Sequence, residues 1–101
     1  MRDGADAVLK AADTSSPALR MNFWTQADGF FTAAIEGARG ASAKAALSNR
    51  AANSFIDAAT GLNAAGERSK AREALRHAKG FASQDAALLK QIDEWLDQIG
   101  G

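Results

Sequence analysis

The amino-acid sequence predicts an all-α protein, and three features of its composition point to that class. Alanine, the best helix former, supplies 25 of the 101 residues. Proline, which breaks helices, occurs once. Valine and isoleucine together occur five times, too few for an ordinary β-sheet. The length suits one domain, so we expect residues 1–101 to form a single helical unit.

Polar residues mark the end of the first predicted helix and the start of the second. The first helix covers about residues 3–12, with Val8 and Leu9 on its apolar face. Ser16 caps the second helix, and Pro17 takes its first position, where a missing N–H has no cost. The apolar residues of the second helix recur at helical spacing and form a wide stripe: Leu19, Phe23, Trp24, Ala27, Phe30, Phe31, Ala34 and Ile35.

Glycine and serine mark the boundaries of the three remaining helices. The third covers about residues 41–65 and ends at Gly66, which is expected in the left-handed conformation. The fourth covers about residues 67–79 and is closed by Gly80, and Ser83 caps the fifth. Because the connections are short, consecutive helices should lie antiparallel, which gives five antiparallel helices. Apolar residues at helical spacing mark the faces expected to be buried: Leu47, Ala51, Phe55, Ala58, Leu62 and Ala65 in the third helix, Ala71, Leu75 and Ala78 in the fourth, and Leu88, Leu89, Ile92, Trp95, Leu96 and Ile99 in the fifth.

Residues 52–85 form a stretch of 34 residues with the pattern of a helical-hairpin repeat. The pattern is carried by Phe55, Ala58, Ala59 and Leu62 in one helix, Gly66 at the turn, and Ala71, Leu75 and Ala78 in the next helix. The stretch resembles a tetratricopeptide repeat, and Ala27, Phe31 and Ala34 repeat the second-helix pattern. The resemblance implies a right-handed stack of antiparallel hairpins with the fifth helix as a C-terminal cap. The spacing from Ala27 to Ala71 is 44 residues, so the third helix should be about ten residues longer than in the family.

A line of mostly polar residues down the third helix is the predicted peptide-binding surface. Its members follow one another at helical spacing: Asn49, Asn53, Ile56, Thr60 and Asn63. In tetratricopeptide proteins the first helix of each repeat lines the binding groove, so the resemblance implies that several of these residues face a bound peptide. Amides suit this role because they both donate to and accept from a peptide backbone. The alternative is a solvated helix face. Asp57 stands where some family members use an asparagine to grip a C-terminal carboxylate, and its own charge would repel that group.

Charge is balanced over the chain but separated near its C-terminal end. Twelve basic and twelve acidic residues give no net charge, which argues against a nucleic-acid partner. Residues 66–82 hold five basic and two acidic residues, whereas residues 83–101 hold one basic and four acidic residues. The fourth and fifth helices should therefore attract each other. The stripe of Arg72, Arg76 and Lys79 either pairs within the chain or meets an acidic partner or phosphate.

The sequence carries no catalytic or metal-binding signature. Without cysteine and with a single histidine, it offers neither a zinc site nor a Ser–His–acid set, so we expect no enzymatic activity, no metal and no cofactor. His77 lies in a His-Ala-Lys-Gly segment similar to the motif of histidine phosphotransfer domains. Its lysine comes one position too early, however, which turns it about 100° around the helix. No apolar run is long enough to span a membrane, and the lack of cysteine fits a cytoplasmic location.

Aromatic residues on the second and fifth helices suggest further contacts. We expect Phe23 and Phe31 in the core, and Phe30 or Trp24 as an exposed anchor for a partner. Trp95 lies on the last helix, one flank of which has no neighbour in the predicted order. The chain should therefore associate with a second copy, or continue in a longer protein, through this helix.

Together these features predict a non-catalytic module that binds a protein or peptide partner, a scaffold or adaptor. Two alternatives come from other classes. One is a plain helical bundle whose role is assembly, and the other is a histidine phosphotransfer module that uses His77.

Overall fold

A computed structural model describes residues 1–100, which form five α-helices joined by short connections. No β-strand occurs among these residues. The helices are α1 (Arg2–Asp13), α2 (Pro17–Gly37), α3 (Ala41–Ala64), α4 (Arg68–Phe81) and α5 (Ala86–Gly100). The predicted all-α class and the number of helices are confirmed.

Local sequence signals account for the start of α2 and the end of α3. The Ser16 hydroxyl accepts a hydrogen bond from the Leu19 N–H at 3.3 Å, and Pro17 is the first residue of α2, as predicted. Gly66 has a φ of 81°, in the left-handed region that favours glycine. The N–H groups of Gly66 and Glu67 bind the Asn63 and Leu62 carbonyl oxygens, respectively, at 3.0 and 2.9 Å. This pair of bonds is a Schellman motif, and it ends α3 where the sequence predicted.

Two predicted boundaries near the fourth connection are wrong. Gly80 does not close α4, because the helix continues to Phe81. The Phe81 ring stacks on Phe55 with the ring centres 5.9 Å apart, and this packing outweighs the cost of about 1 kcal/mol for a glycine within a helix. Ser83 does not cap α5. Asp85 does, because its carboxylate accepts a hydrogen bond from the Leu88 N–H at 3.1 Å.

Pairs of residues in contact define how the helices run. Gly4 near the start of α1 lies against Phe31 late in α2, so these two helices are antiparallel. In the second hairpin the Asn49 amide reaches Asp85, whereas Phe55 stacks on His77, so α3 and α4 are also antiparallel.

The two hairpins stack side by side in the same sense. Arg20 near the start of α2 contacts Glu73 in α4, and Asp28, further along α2, contacts His77, so α2 and α4 run parallel. Helix α3 contacts both helices of the first hairpin, and α5 packs mainly against α4. The chain is therefore a row of two hairpins followed by a single helix.

The core between the helices is built from aromatic rings and alanines. The Phe55 ring lies 5.5 Å from Phe31 and 5.7 Å from Trp24, and all three side chains are fully buried. The buried alanines are Ala7, Ala11, Ala27, Ala51, Ala52, Ala59, Ala71, Ala74, Ala78 and Ala82. These small side chains let the helix backbones approach one another closely. The inward face of α4, predicted as Ala71, Leu75 and Ala78, is confirmed.

Four apolar residues lie elsewhere than predicted. One is Ala65, placed on the buried face of the third helix, which is exposed just beyond the end of α3. Trp24 is fully buried and is not an exposed anchor, whereas Phe30 keeps 44% of its surface exposed. Leu9 is 62% exposed and Leu19 is 50% exposed, although both were placed on apolar stripes. In α1 the buried face follows the small residues that fit against α2, namely Gly4, Ala7, Val8 and Ala11, and this register turns Leu9 outward.

Candidate functional site

A cleft of about 480 Å³ opens between α3, α4 and α5, and we call it the α3–α5 cleft. It is lined by Ile56, Thr60 and Asn63 from α3, Arg68 and Leu75 from α4, and Trp95, Gln98 and Ile99 from α5. The α3 residues share a face because they are spaced four and three positions apart. Trp95 and Ile99 share a face of α5 for the same reason.

The α3–α5 cleft has an apolar base and a polar edge. Ile56 is 8% exposed and Leu75 is 2% exposed, so these two side chains form the base. Trp95 and Ile99 are half-buried and continue the apolar surface onto α5. The exposed polar groups are Thr60, Asn63, Arg68 and Gln98. The Thr60 hydroxyl already donates to the Ile56 carbonyl oxygen at 3.0 Å, which leaves the two amides and the guanidinium as the donors facing a ligand.

Polar contacts from α4 hold α5 in place beside the cleft. Arg72 Nη1 donates to the Leu96 carbonyl oxygen at 2.7 Å, close to the C-terminal end of α5, whose partial negative charge attracts a guanidinium. Lys79 Nζ lies 2.8 Å from a carboxylate oxygen of Asp93. The attraction expected between these oppositely charged helices is therefore present. Of the predicted basic stripe, Lys79 pairs with a carboxylate of α5, Arg72 binds a backbone oxygen of the same helix, and Arg76 remains exposed.

Three of the five predicted peptide-binding residues meet in the α3–α5 cleft: Ile56, Thr60 and Asn63. Asn53 is exposed on α3 outside it. Asn49 lies at the other end of the hairpin, where its amide nitrogen donates to Asp85 at 3.5 Å. The α5 residues and Arg68 were not predicted to join this surface, because the position of α5 beside α3 cannot be derived from spacing within one helix.

A second polar cluster joins α2 to α4 in the interior. Arg20 Nε and Nη2 donate to the two carboxylate oxygens of Glu73 at 2.8 and 3.1 Å, and Trp24 Nε1 donates to the same carboxylate at 2.9 Å. The hydrogen bonds from Arg20, aided by the one from Trp24, lower the pKa of Glu73 from its usual 4.5. The bond to Glu73 raises the pKa of Arg20. This cluster is a structural link between the hairpins, because its groups are satisfied by one another.

His77 belongs to the same interface between α2 and α4. Its ring packs against Trp24 and Phe55, with ring centres 5.7 and 5.5 Å away, and the three rings form a triangle. Its Nδ1 lies 2.8 Å from a carboxylate oxygen of Asp28. These contacts make His77 part of the packing where α2, α3 and α4 meet, and 23% of its side chain remains exposed.

Among residues 1–100, no group of three or more histidine, aspartate or glutamate side chains is placed to hold a metal ion. None of the five described helices combines the length and the apolar character needed to cross a membrane.

Comparison of the chain with models of protein families, with curated proteins and with solved structures gave no match. The kind of ligand that suits the α3–α5 cleft is therefore inferred from the residues that line it.

Proposed function

We propose that the chain is a non-catalytic binding module that holds an extended segment of a partner protein in the α3–α5 cleft. The observation that carries this proposal is the composition of the cleft, an apolar base of Ile56 and Leu75 beside exposed amides on two helices. The base accepts an apolar side chain of the ligand. The amides of Asn63 and Gln98 can pair with the N–H and C=O groups of an extended backbone.

The half-buried Trp95 adds to this proposal. Large aromatic side chains that are partly exposed at the centre of a concave surface contribute much of the binding energy in protein interfaces. Trp95 lies on α5 and lines the cleft together with Ile56 of α3. A ligand side chain placed between them would bury apolar surface on both helices.

We further propose that the architecture is tetratricopeptide-like. Two features support this proposal. The hairpins stack in the same sense, with α3 in contact with both helices of the first hairpin, and α5 occupies the position of a terminal cap. Helix α3 has 24 residues and α4 has 14, in line with the extra length expected for the third helix. In such a stack the first helix of a hairpin faces the ligand, and in the second hairpin that helix is α3.

The alternative function, an assembly domain, is favoured by one observation on α2. Leu19, Phe23 and Phe30 recur at helical spacing along this helix, and Leu19 and Phe30 remain exposed. The outer side of α5, in contrast, carries Lys90 and Glu94, so self-association through that helix has less apolar surface to bury. Sedimentation velocity tests this alternative, because replacing Phe30 by serine should dissociate an oligomer formed through α2.

Filling the cleft tests the proposed function. Thr60→Trp places a large ring at the cleft edge, and Thr25→Trp is a matched control on α2, because both hydroxyls donate to the carbonyl oxygen four residues earlier. The probe is a displayed library of 12-residue peptides selected on the unmodified chain, followed by fluorescence anisotropy with the selected peptides. We expect Thr60→Trp to weaken binding by about tenfold or more and Thr25→Trp to leave it unchanged. If no selected peptide loses affinity for the Thr60→Trp variant, the proposal is wrong.

A further inference from the structure

The charge of the α3–α5 cleft is positive at one place. Of the described residues that line it, Arg68 alone is charged, and its side chain is exposed. Two carboxylates close to Arg68 in the sequence are engaged elsewhere, because Glu67 pairs with Lys70 at 2.9 Å and Glu73 pairs with Arg20 at 2.8 Å. The Arg68 guanidinium therefore faces the cleft without an ion-pair partner among residues 1–100.

The helix ends around the cleft add to this positive potential. Arg68 is the first residue of α4, and no side chain caps that end of the helix, so its free N–H groups carry a partial positive charge. The opposite, carbonyl end of α5 also lies beside the cleft. There the Arg72 guanidinium binds the Leu96 carbonyl oxygen and offsets the partial negative charge.

The other flank of α3 has the opposite charge. A smaller pocket of about 250 Å³ lies between α1 and α3, and it is lined by Ala5, Val8, Leu9, Ser54, Asp57 and Ala58. Asp57 is the charged residue of that pocket among the described residues, and Leu9 is its exposed apolar one. A ligand that crosses the exposed face of α3 thus meets a carboxylate on the α1 side and a guanidinium on the α5 side.

We infer that the ligand of the α3–α5 cleft is an acidic peptide, with a large apolar side chain against Ile56 and Trp95 and an aspartate or glutamate beside Arg68. This inference rests on the proposed function. The acidic residue lies toward α4 and α5, because Asp57 would repel it on the α1 side. The segment that continues across α3 toward Leu9 is neutral or basic.

Charge variants of the chain and of the selected peptides test this inference. We expect peptides whose binding depends on the cleft to carry Asp or Glu within two residues of Leu, Phe or Trp. Changing that acid to its amide should weaken binding by about three- to fivefold, as for an exposed ion pair. Arg68→Glu should weaken binding by about tenfold, because it turns attraction into repulsion. Arg50→Glu is the matched control, an exposed arginine that does not line the cleft, and should change affinity less than about twofold.

Two readouts separate this inference from the proposed function. The indole N–H signal of Trp95 in a two-dimensional NMR spectrum should shift on binding, whereas that of buried Trp24 should not. A peptide with lysine in place of its acid should regain affinity for the Arg68→Glu variant. If Thr60→Trp abolishes binding but neutral or basic peptides bind equally well, the acidic ligand is refuted and the binding cleft stands. If Thr60→Trp has no effect, both are refuted.

Discussion

Glu73→Gln is the substitution that best tests how the two hairpins are joined. The carboxylate accepts two hydrogen bonds from Arg20 and one from Trp24, and no other polar contact between α2 and α4 has so many bonds among the described residues. Arg20 is only 8% exposed, so water cannot easily replace a lost partner. Glutamine keeps the size of the side chain, but it removes the charge and turns one of the two acceptor atoms into a donor.

The expected loss of stability is about 2–3 kcal/mol. A hydrogen bond to a charged group contributes about 1.5–3 kcal/mol, and breaking a buried ion pair costs about 3–5 kcal/mol. The lower part of these ranges applies because the Glu73 side chain is 27% exposed. For a domain of this length, the corresponding fall in melting temperature is about 10–20 °C. Glu67→Gln is the control, since its ion pair with Lys70 is exposed and should contribute less than about 1 kcal/mol.

The loss should also depend on pH with a definite sign. The pKa of Glu73 is lower in the folded chain than its usual 4.5, because Arg20 and Trp24 bind the ionised form. The carboxylate therefore contributes stability that is fully present above about pH 4.5 and is lost as the pH falls through the folded pKa. Glutamine does not titrate. The stability difference between the two proteins should be largest near neutral pH and should shrink in acid.

Urea unfolding followed by circular dichroism measures both quantities. The free energy of unfolding is compared for the unmodified chain, Glu73→Gln and Glu67→Gln at about pH 7, 4 and 3. A difference below about 0.5 kcal/mol at neutral pH would show that the interior ion pair is not needed to join the hairpins. A difference that stays constant between neutral and acidic pH would refute the lowered pKa.

Two further predictions each compare a substitution with a matched control. Gly4→Ala should destabilise the protein by about 1–3 kcal/mol, because the new Cβ would lie 2.5 Å from a ring carbon of Phe31. Gly29→Ala is its control. The new Cβ there has no neighbour within 4 Å, so the substitution should stabilise the helix by up to about 1 kcal/mol. Melting temperatures measured by calorimetry should thus move in opposite directions, and a stabilising Gly4→Ala would contradict the close packing of α1 on α2. Asp85→Ala should cost about 1 kcal/mol by removing the cap of α5, while Ser83→Ala should be nearly neutral. Thermal unfolding of the two variants decides between these caps, and a larger loss for Ser83→Ala would restore the cap predicted from the sequence.

Features set by neighbouring residues were predictable from the sequence. The Ser16 hydroxyl and the Gly66 backbone act within a few residues of their own positions, so their roles could be derived from residue type and order. The cap of α5 was not predictable in this way. Ser83 and Asp85 are both good caps, and the choice depends on how far α4 extends, which the packing of Phe81 decides.

Contacts between distant parts of the chain could not be derived from spacing. Glu73 and Arg20 are 53 positions apart, and nothing in either helix indicates that these two charged residues meet in the interior. The same limit applies to the cleft. The line of residues predicted along the third helix correctly included Ile56, Thr60 and Asn63 in one surface, because their spacing is set within a single helix. Arg68 and Trp95 join them only through the way in which α4 and α5 pack.

The attachment of α5 has a consequence for the kinetics of binding. This helix buries one side chain fully, Ile92, whereas α3 buries six. Segments with fewer buried contacts open at a lower free energy than the rest of a protein. Undocking of α5 removes one side of the cleft while both hairpins stay folded. For a peptide held there as we propose, undocking of α5 is a second route of dissociation beside direct release. Ile92→Val, which weakens the docking of α5, should therefore shorten the residence time without touching the ligand.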